Sequence, residues 1–246
     1  VRKDAPSRFV GYITVLVLLT VQVLEMTVAP GDGVTFSGLF ISDRYAVFMK
    51  SLVLLGSALA VLLSFDYHNH EKQERIEYPI LILFATLGMM MMISANSLLS
   101  LYLGLELQSL SLYVLAAIRR DTLRSTEAGL KYFILGALSS GLLLYGMSLI
   151  YGFAGSTEFP VLAEILTARH SHVPVGVIVR LVFMMAGLAV TISAVPFPIC
   201  TPAVYAGAPT PVPPFFPLAP QVAALPPITR APVDPPRAPP PVWRLL

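Results

Sequence analysis

The amino-acid sequence predicts an all-α polytopic membrane protein, a helix bundle of about six transmembrane helices followed by a Pro-rich tail. Three observations predict it. The chain of 246 residues is 56% hydrophobic and only 12% charged, against roughly 25% charged in a soluble domain, and its mean hydropathy is +0.76. Six stretches approach or exceed the ~20 apolar residues a helix needs to cross a bilayer. The loops between them alternate between basic and poorly basic, the pattern of a chain threading back and forth through a membrane.

The stretches are 9–28, 45–65, 78–93, 98–118, 128–153 and 175–195. The first follows Arg2, Lys3 and Arg8, and its apolar run is longer than the ~7–15 residues of a signal-peptide core. The 30–44 loop carries one arginine and the acids Asp32 and Asp43, whereas the 66–77 loop carries Lys72 and Arg75. His68 and His70 in that second loop lack an evident third ligand, so a solvated loop is expected there rather than a metal site. The turn 94–97 is so short that the third and fourth spans must be antiparallel neighbours. Met89–Met92 reads as adaptable packing. Arg119, Arg120 and Arg124 form the next basic loop, and Arg169 stands alone in the loop after the fifth span. Counting Lys and Arg by loop places Val1 in the cytoplasm. Gly136, Ala137, Ser139, Ser140, Gly141 and Gly146 allow close helix approach and point to an interior fifth span. The sixth span is irregular, with Gly187, Thr191, Ser193 and Pro196 near its end and Arg180 five residues in, read as a side chain snorkelling to the surface.

Residues 1–195 therefore read as the helix bundle and residues 196–246 as the tail. The tail holds 17 of the 22 prolines. Runs such as Pro213–Pro214, Pro226–Pro227 and Pro239–Pro240–Pro241 are expected to forbid a helix, because proline removes a backbone donor and clashes with the preceding turn.

Two charges sit where an apolar helix should not tolerate them. Glu106 lies mid-span among Gln108, Ser109 and Ser111, and Lys131 lies near the start of the fifth span. An ionisable group at membrane depth costs about 2.5–3.5 kcal/mol on insertion scales and reads as functional by default. Glu127, four residues before Lys131, offers a blander reading: an i,i+4 pair at the helix start. The net charge of +2 with no basic stripe argues against a nucleic-acid partner. The single Cys200 excludes an internal disulfide, and nothing in the chain has the pattern of a nucleotide loop, zinc site or iron–sulfur site. Composition and pattern thus lead to a transporter, channel or proton-path subunit.

The strings YLGLELQSLSLYVLAA and STEAGLKYFILGALSSGLLLYGMSLIYGFAGST resemble the subunit N family of NADH-quinone oxidoreductase, respiratory complex I, which includes the mitochondrial NADH dehydrogenase subunit 2. The resemblance extends back through EYPILILFATLGMMMMISAN and forward through SAVPF, TPAVY and GAPTPV to about residue 224. It implies an antiporter-like fold of two inverted five-helix repeats, each with a broken helix and a half-channel. It also implies a proton-relay ion pair, Glu106–Lys131, in a membrane-arm subunit that contributes to proton translocation coupled to NADH oxidation and quinone reduction. NADH, FMN, iron–sulfur clusters and quinone would be held elsewhere in the complex, with no cofactor in this chain. The implied partners are other membrane-arm subunits and the lipid bilayer. The implied location is the bacterial inner membrane in preference to the mitochondrial one. With Val1 in place of a methionine, the family's first helix and second repeat missing, a partial chain is expected.

The sequence departs from the family at the broken helix. The family's Phe-Lys-x-Ser-Ala-Val-Pro-Phe-His becomes Val190-Thr191-Ile192-Ser193-Ala194-Val195-Pro196-Phe197-Pro198, so the central lysine is Thr191. An aspartate of the next motif is Ala203, and a further lysine is Gln221. These positions leave open a non-conducting structural subunit, and the shared fold leaves open a cation/proton antiporter subunit.

Overall fold

The structure is a computed structural model that describes residues 5–28, 33–71, 75–168, 175–191, 193, 200–209, 212–213 and 215–233. Among these, the chain forms nine helices and one two-stranded hairpin. In order they are α1 (Ala5–Val28), β1 (Gly33–Thr35), β2 (Phe40–Ser42), α2 (Arg44–Glu71), α3 (Glu77–Ile93) and α4 (Leu98–Ala116). Then come α5 (Leu123–Ala154), α6 (Phe159–Ala168), α7 (Val175–Thr191), α8 (Cys200–Gly207) and α9 (Phe215–Val233). The six expected spans correspond to α1–α5 and α7. Helices α1, α2, α4 and α5 are long and apolar enough to cross a membrane, and α3 is a shorter apolar helix.

The antiparallel pair α3/α4 forms the centre. Ser97 and Ser100 close a capping box at the start of α4, satisfying backbone donors the first turn would otherwise leave open. Gly88 and Gly104 then let the two backbones touch: a Cβ added at Gly88 would lie 2.5 Å from the Gln108 backbone nitrogen and 2.7 Å from the Gly104 oxygen. Met89, Met92, Leu101 and Leu105 complete this interface and are buried, which bears out the packing role read for the methionine run. On α5, Gly136, Ser139, Ser140 and Gly146 are buried, whereas Ala137 and Gly141 face outward, so only one stripe of the small residues is interior.

Hydrogen bonds knit the loops at each end in the way the threading requires. At one end, Ile41 N–H donates to the Ser94 carbonyl and Phe159 N–H to the Asn96 carbonyl, joining the hairpin, the α3–α4 turn and the start of α6. Asn96 Nδ2 also donates to the Gly38 carbonyl at 2.9 Å. These are the basic-poor loops, and the alternation of spans puts them on one side. At the other end the basic loops meet: Arg75 pairs with Asp121 at 3.2 Å and Arg120 with Glu77 at 3.9 Å.

Four expectations change. The 30–44 loop contains the hairpin, and the loop after α5 contains α6. Helix α2 runs on to Glu71, so the 66–77 loop begins later than expected; the side chains of His68 and His70 lie outside the described residues. The proline-rich segment also forms helices α8 and α9. Pro217 sits in the first turn of α9, where the N–H has no helical partner to lose. Pro220, Pro226 and Pro227 each forfeit one backbone bond, and burial offsets the loss: Phe215, Phe216, Ala219, Ala223 and Ala224 are all 5% exposed or less. Helix α9 packs on α2 and α3, and α8 packs on α5, so this segment is part of the bundle. Pro239–Pro240–Pro241 lie outside the described residues.

Candidate functional site

Glu106 stands at the middle of α4 and is partly buried. Its carboxylate accepts a hydrogen bond from the Ser140 hydroxyl of α5. The Tyr102 hydroxyl, one turn away on α4, lies 3.2 Å from Ser140 Oγ. The carboxylate is thus held by a short chain of neutral hydroxyls. Each hydroxyl can donate and accept, so this chain accommodates the carboxyl in either protonation state.

Lys131 is elsewhere. Its ammonium donates to Glu127 Oε1 at 2.5 Å, both side chains are more than half exposed, and the pair is i,i+4 on α5. Nine residues separate Lys131 from Ser140. At 100° per residue that places them on opposite faces of α5, about 13.5 Å apart along its axis. The structure therefore does not bring Glu106 and Lys131 together, and realises the Glu127–Lys131 pair instead. The cause is local: a glutamate one turn away reaches the flexible lysine without any helix having to rotate.

Leu105, the chain neighbour of Glu106, is on the wall of a cavity of about 50 Å³ formed by α4, α5, α7, α8 and α9. Helix α4 contributes Gln108, Ser109 and Tyr113, and α5 contributes Tyr132 and Ser139; Ser193, Tyr205 and Gln221 close it. Space for a water is roughly 10–15 Å³, so the volume suits a small cluster. Aromatic rings pack against one another in the wall. Tyr113 and Tyr132 meet edge-on at 4.9 Å, and Tyr132 lies 5.5 Å from Phe216. Gln108 is 1% exposed, and its Oε1 has no hydrogen-bond partner. A buried acceptor left unmet costs about 1–3 kcal/mol. Ser193 has φ 56°, a left-handed backbone just after α7 ends, in keeping with the irregular sixth span. Gln221 was expected as a family departure and proves to be a wall residue of this cavity. The side chains of Thr191 and Arg180 lie outside the described residues.

A second pair of intramembrane charges escaped the reading of the sequence. Lys50 on α2 donates to Glu25 on α1 at 2.9 Å, with side-chain exposures of 11% and 15%. Gln22, one turn from Glu25, is 6% exposed. The criterion that singles out Glu106, a charge inside an apolar span, applies equally to Glu25 in 9–28 and Lys50 in 45–65. Both lie close to loops, which masks the signal.

A bundle of apolar helices with a carboxylate at the middle of one of them and a polar cavity among its inner helices is an antiporter-like membrane architecture. Residues 95–239, more than half of the chain, match the family model described as NADH:quinone oxidoreductase/Mrp antiporter, TM. The chain belongs to this family of membrane proteins. It is 55% identical over 228 residues to NADH-quinone oxidoreductase subunit N of Paramagnetospirillum magneticum, covering 91% of this chain and 47% of that protein. It is 54% identical over 226 residues to the subunit N of Rhodospirillum rubrum, covering 91% and 46%. The chain thus spans about half the length of these curated relatives. Among solved structures it resembles a chain of respiratory complex I from Thermus thermophilus, with TM-score 0.77 and 31% identity over 91% of this chain and 48% of that one. A chain of the Mrp complex from Dietzia shares the fold, with TM-score 0.73 at 20% identity over 88% of this chain and 42% of that one.

Proposed function

We propose that this chain is part of a subunit N of proton-translocating NADH-quinone oxidoreductase, and that Glu106 is its proton-carrying group. The observation that carries the reading is the placement of Glu106: a carboxyl at mid-helix, hydrogen-bonded to Ser140, with the chain neighbours Leu105 and Ser139 of both residues on the wall of a polar cavity. Ser139, the chain neighbour of Ser140, lines that cavity, so water held there is within reach of the hydroxyl chain. A proton accepted at the carboxyl turns it from acceptor to donor, and Ser140 and Tyr102 can rotate to follow. Similarity to subunit N supports the assignment of partners, other membrane-arm subunits in a bacterial inner membrane. In this reading the redox groups belong to other subunits, and the chain moves protons without chemistry on NADH or quinone. Lys131 joins the relay only by leaving Glu127, so exchange of partners on α5 is the step that would couple the two residues.

The test uses the full-length subunit in the assembled complex, in inverted membrane vesicles, with proton uptake measured per NADH oxidised. Glu106→Gln keeps the shape and the hydrogen bond from Ser140 but cannot ionise. The expected result is a lower proton-to-NADH ratio with the complex still assembled. An unchanged ratio would refute the role of Glu106. Lys131→Met in the same assay is expected to lower the ratio as well, and an unchanged ratio there confines Lys131 to its surface pair.

A further inference from the structure

Away from the cavity, the α1–α2 interface holds a second set of polar groups that the role of Glu106 leaves unused. Glu25 lies three residues before the end of α1, at the basic-poor end of the bundle, and Lys50 lies in the second turn of α2. Their 2.9 Å contact joins the two helices, and each side chain keeps only a thin exposed edge. Gln22 stands one turn deeper on α1 and is buried. Neither its Oε1 nor its Nε2 has a hydrogen-bond partner, and Glu25 Oε2 is likewise buried and unmet. The elements packed on α1 and α2 here bring no further charge. Residues 79–93 of α3, the hairpin 33–42 and residues 215–229 of α9 contain no ionisable side chain. On α2 itself, Arg44 and Tyr45 lie more than one turn before Lys50, and Asp43 Oδ1 is engaged in capping the helix, accepting from the Ala46 N–H at 2.7 Å.

Packing alone does not ask for these groups. One turn deeper, the same interface is closed by Leu18, Leu54 and Ala58, all buried, and apolar side chains often replace a buried ion pair without loss of stability. An ionisable pair kept inside a membrane span points instead to a role in moving ions or protons. We propose that Glu25 and Lys50 form a second proton-exchange site of this chain, open to the basic-poor side, with the Gln22 amide positioning the water that serves it. In the exchange an N–H bond of the Lys50 ammonium breaks, its electron pair stays on nitrogen, and the proton forms an O–H bond on Glu25 Oε1. The carboxyl then gives a proton to water at the loop end. The Lys50 amine takes one from the water beside Gln22, whose Oε1 accepts and whose Nε2 donates, and the charged pair is restored. The reverse order carries a proton inward. This inference rests on the proton-moving reading of the chain, though not on Glu106.

The experiment is proton uptake per NADH oxidised, with the full-length subunit in the assembled complex in inverted membrane vesicles. Two variants are compared with the parent: Lys50→Arg, and Glu25→Met combined with Lys50→Met. Arginine keeps a positive charge opposite Glu25, but its guanidinium does not deprotonate in proteins. The double variant removes both charges and leaves an apolar interface, so its unfolding in bicelles stays near that of the parent. A structural ion pair would therefore leave the proton-to-NADH ratio unchanged in both. The expected result is a lower ratio in both, with the complex assembled. A parent-like ratio in either variant makes the pair structural and overturns the proposal. If the double variant fails to assemble, Glu25→Gln takes its place and is judged in the same way. Glu106→Gln, measured alongside, separates the two readings. A ratio lowered there but parent-like in the Lys50 variants overturns this proposal alone, whereas an unchanged ratio in every variant overturns the proton-moving reading with it.

Discussion

Gly88→Ala is expected to destabilise the bundle and to disturb the candidate site together. The added Cβ would meet the Gln108 nitrogen at 2.5 Å and the Gly104 oxygen at 2.7 Å. Both are backbone atoms of α4, so no side chain can rotate to relieve the contact, and α4 must move away from α3. Overpacking of this kind costs about 1–3 kcal/mol, and the rigid neighbours argue for about 3. Alanine recovers about 1 kcal/mol of helix propensity over glycine. The net loss is about 2 kcal/mol, roughly thirtyfold in the unfolding equilibrium. Gly56→Ala is the internal control. Its nearest contact is the tip of Leu218 at 2.8 Å, and Leu218 is 51% exposed and can swing outward. Reversible unfolding of the full chain in bicelles, followed by circular dichroism, measures both. Because α4 carries Glu106 and Gln108, Gly88→Ala should also lower the proton-to-NADH ratio of the assembled complex. A Gly88→Ala chain as stable as the parent would show that α3 and α4 separate freely, and the close approach would then not position the site.

Two further outcomes are expected. Lys50→Met leaves the Glu25 carboxylate buried without its cation, so stability should fall by about 3–5 kcal/mol, and adding Glu25→Met should recover most of it; the same unfolding assay measures both, and equal losses in the single and double variants would contradict the pairing. Phe36 and Ser37 both adopt φ 53° at the hairpin tip, where an L-residue pays about 1–2 kcal/mol. Ser37→Gly should therefore raise stability by about 1 kcal/mol, read as a higher thermal midpoint.

Much of the architecture was legible in the sequence because one variable decides it. Apolar runs long enough to cross a bilayer must be helices, since lipid satisfies no backbone group. The same rule hid α9. Pro226 and Pro227 look prohibitive when judged by local backbone chemistry, yet a helix packed on α2 and α3 can forgo a few backbone bonds. The hairpin 33–42 was missed because it is held by contacts to Ser94 and Asn96, far along the chain, and carries little strand pattern of its own.

The candidate site divides in the same way. That Glu106 is an intramembrane carboxyl follows from composition alone, and so does its neighbourhood on α4, because helical spacing puts Tyr102 and Ser109 on its face. Which partner it takes was a question of helix rotation. Only the packing of α5 turns Ser140 inward and Lys131 outward, because Gly136 must face Tyr113: a Cβ there would meet the Tyr113 hydroxyl. The sequence by itself determined that charges lie in the membrane and where along each helix they fall. The tertiary structure decided which of them meet, since pairing depends on the azimuth of each helix, and close contacts between small residues set that azimuth.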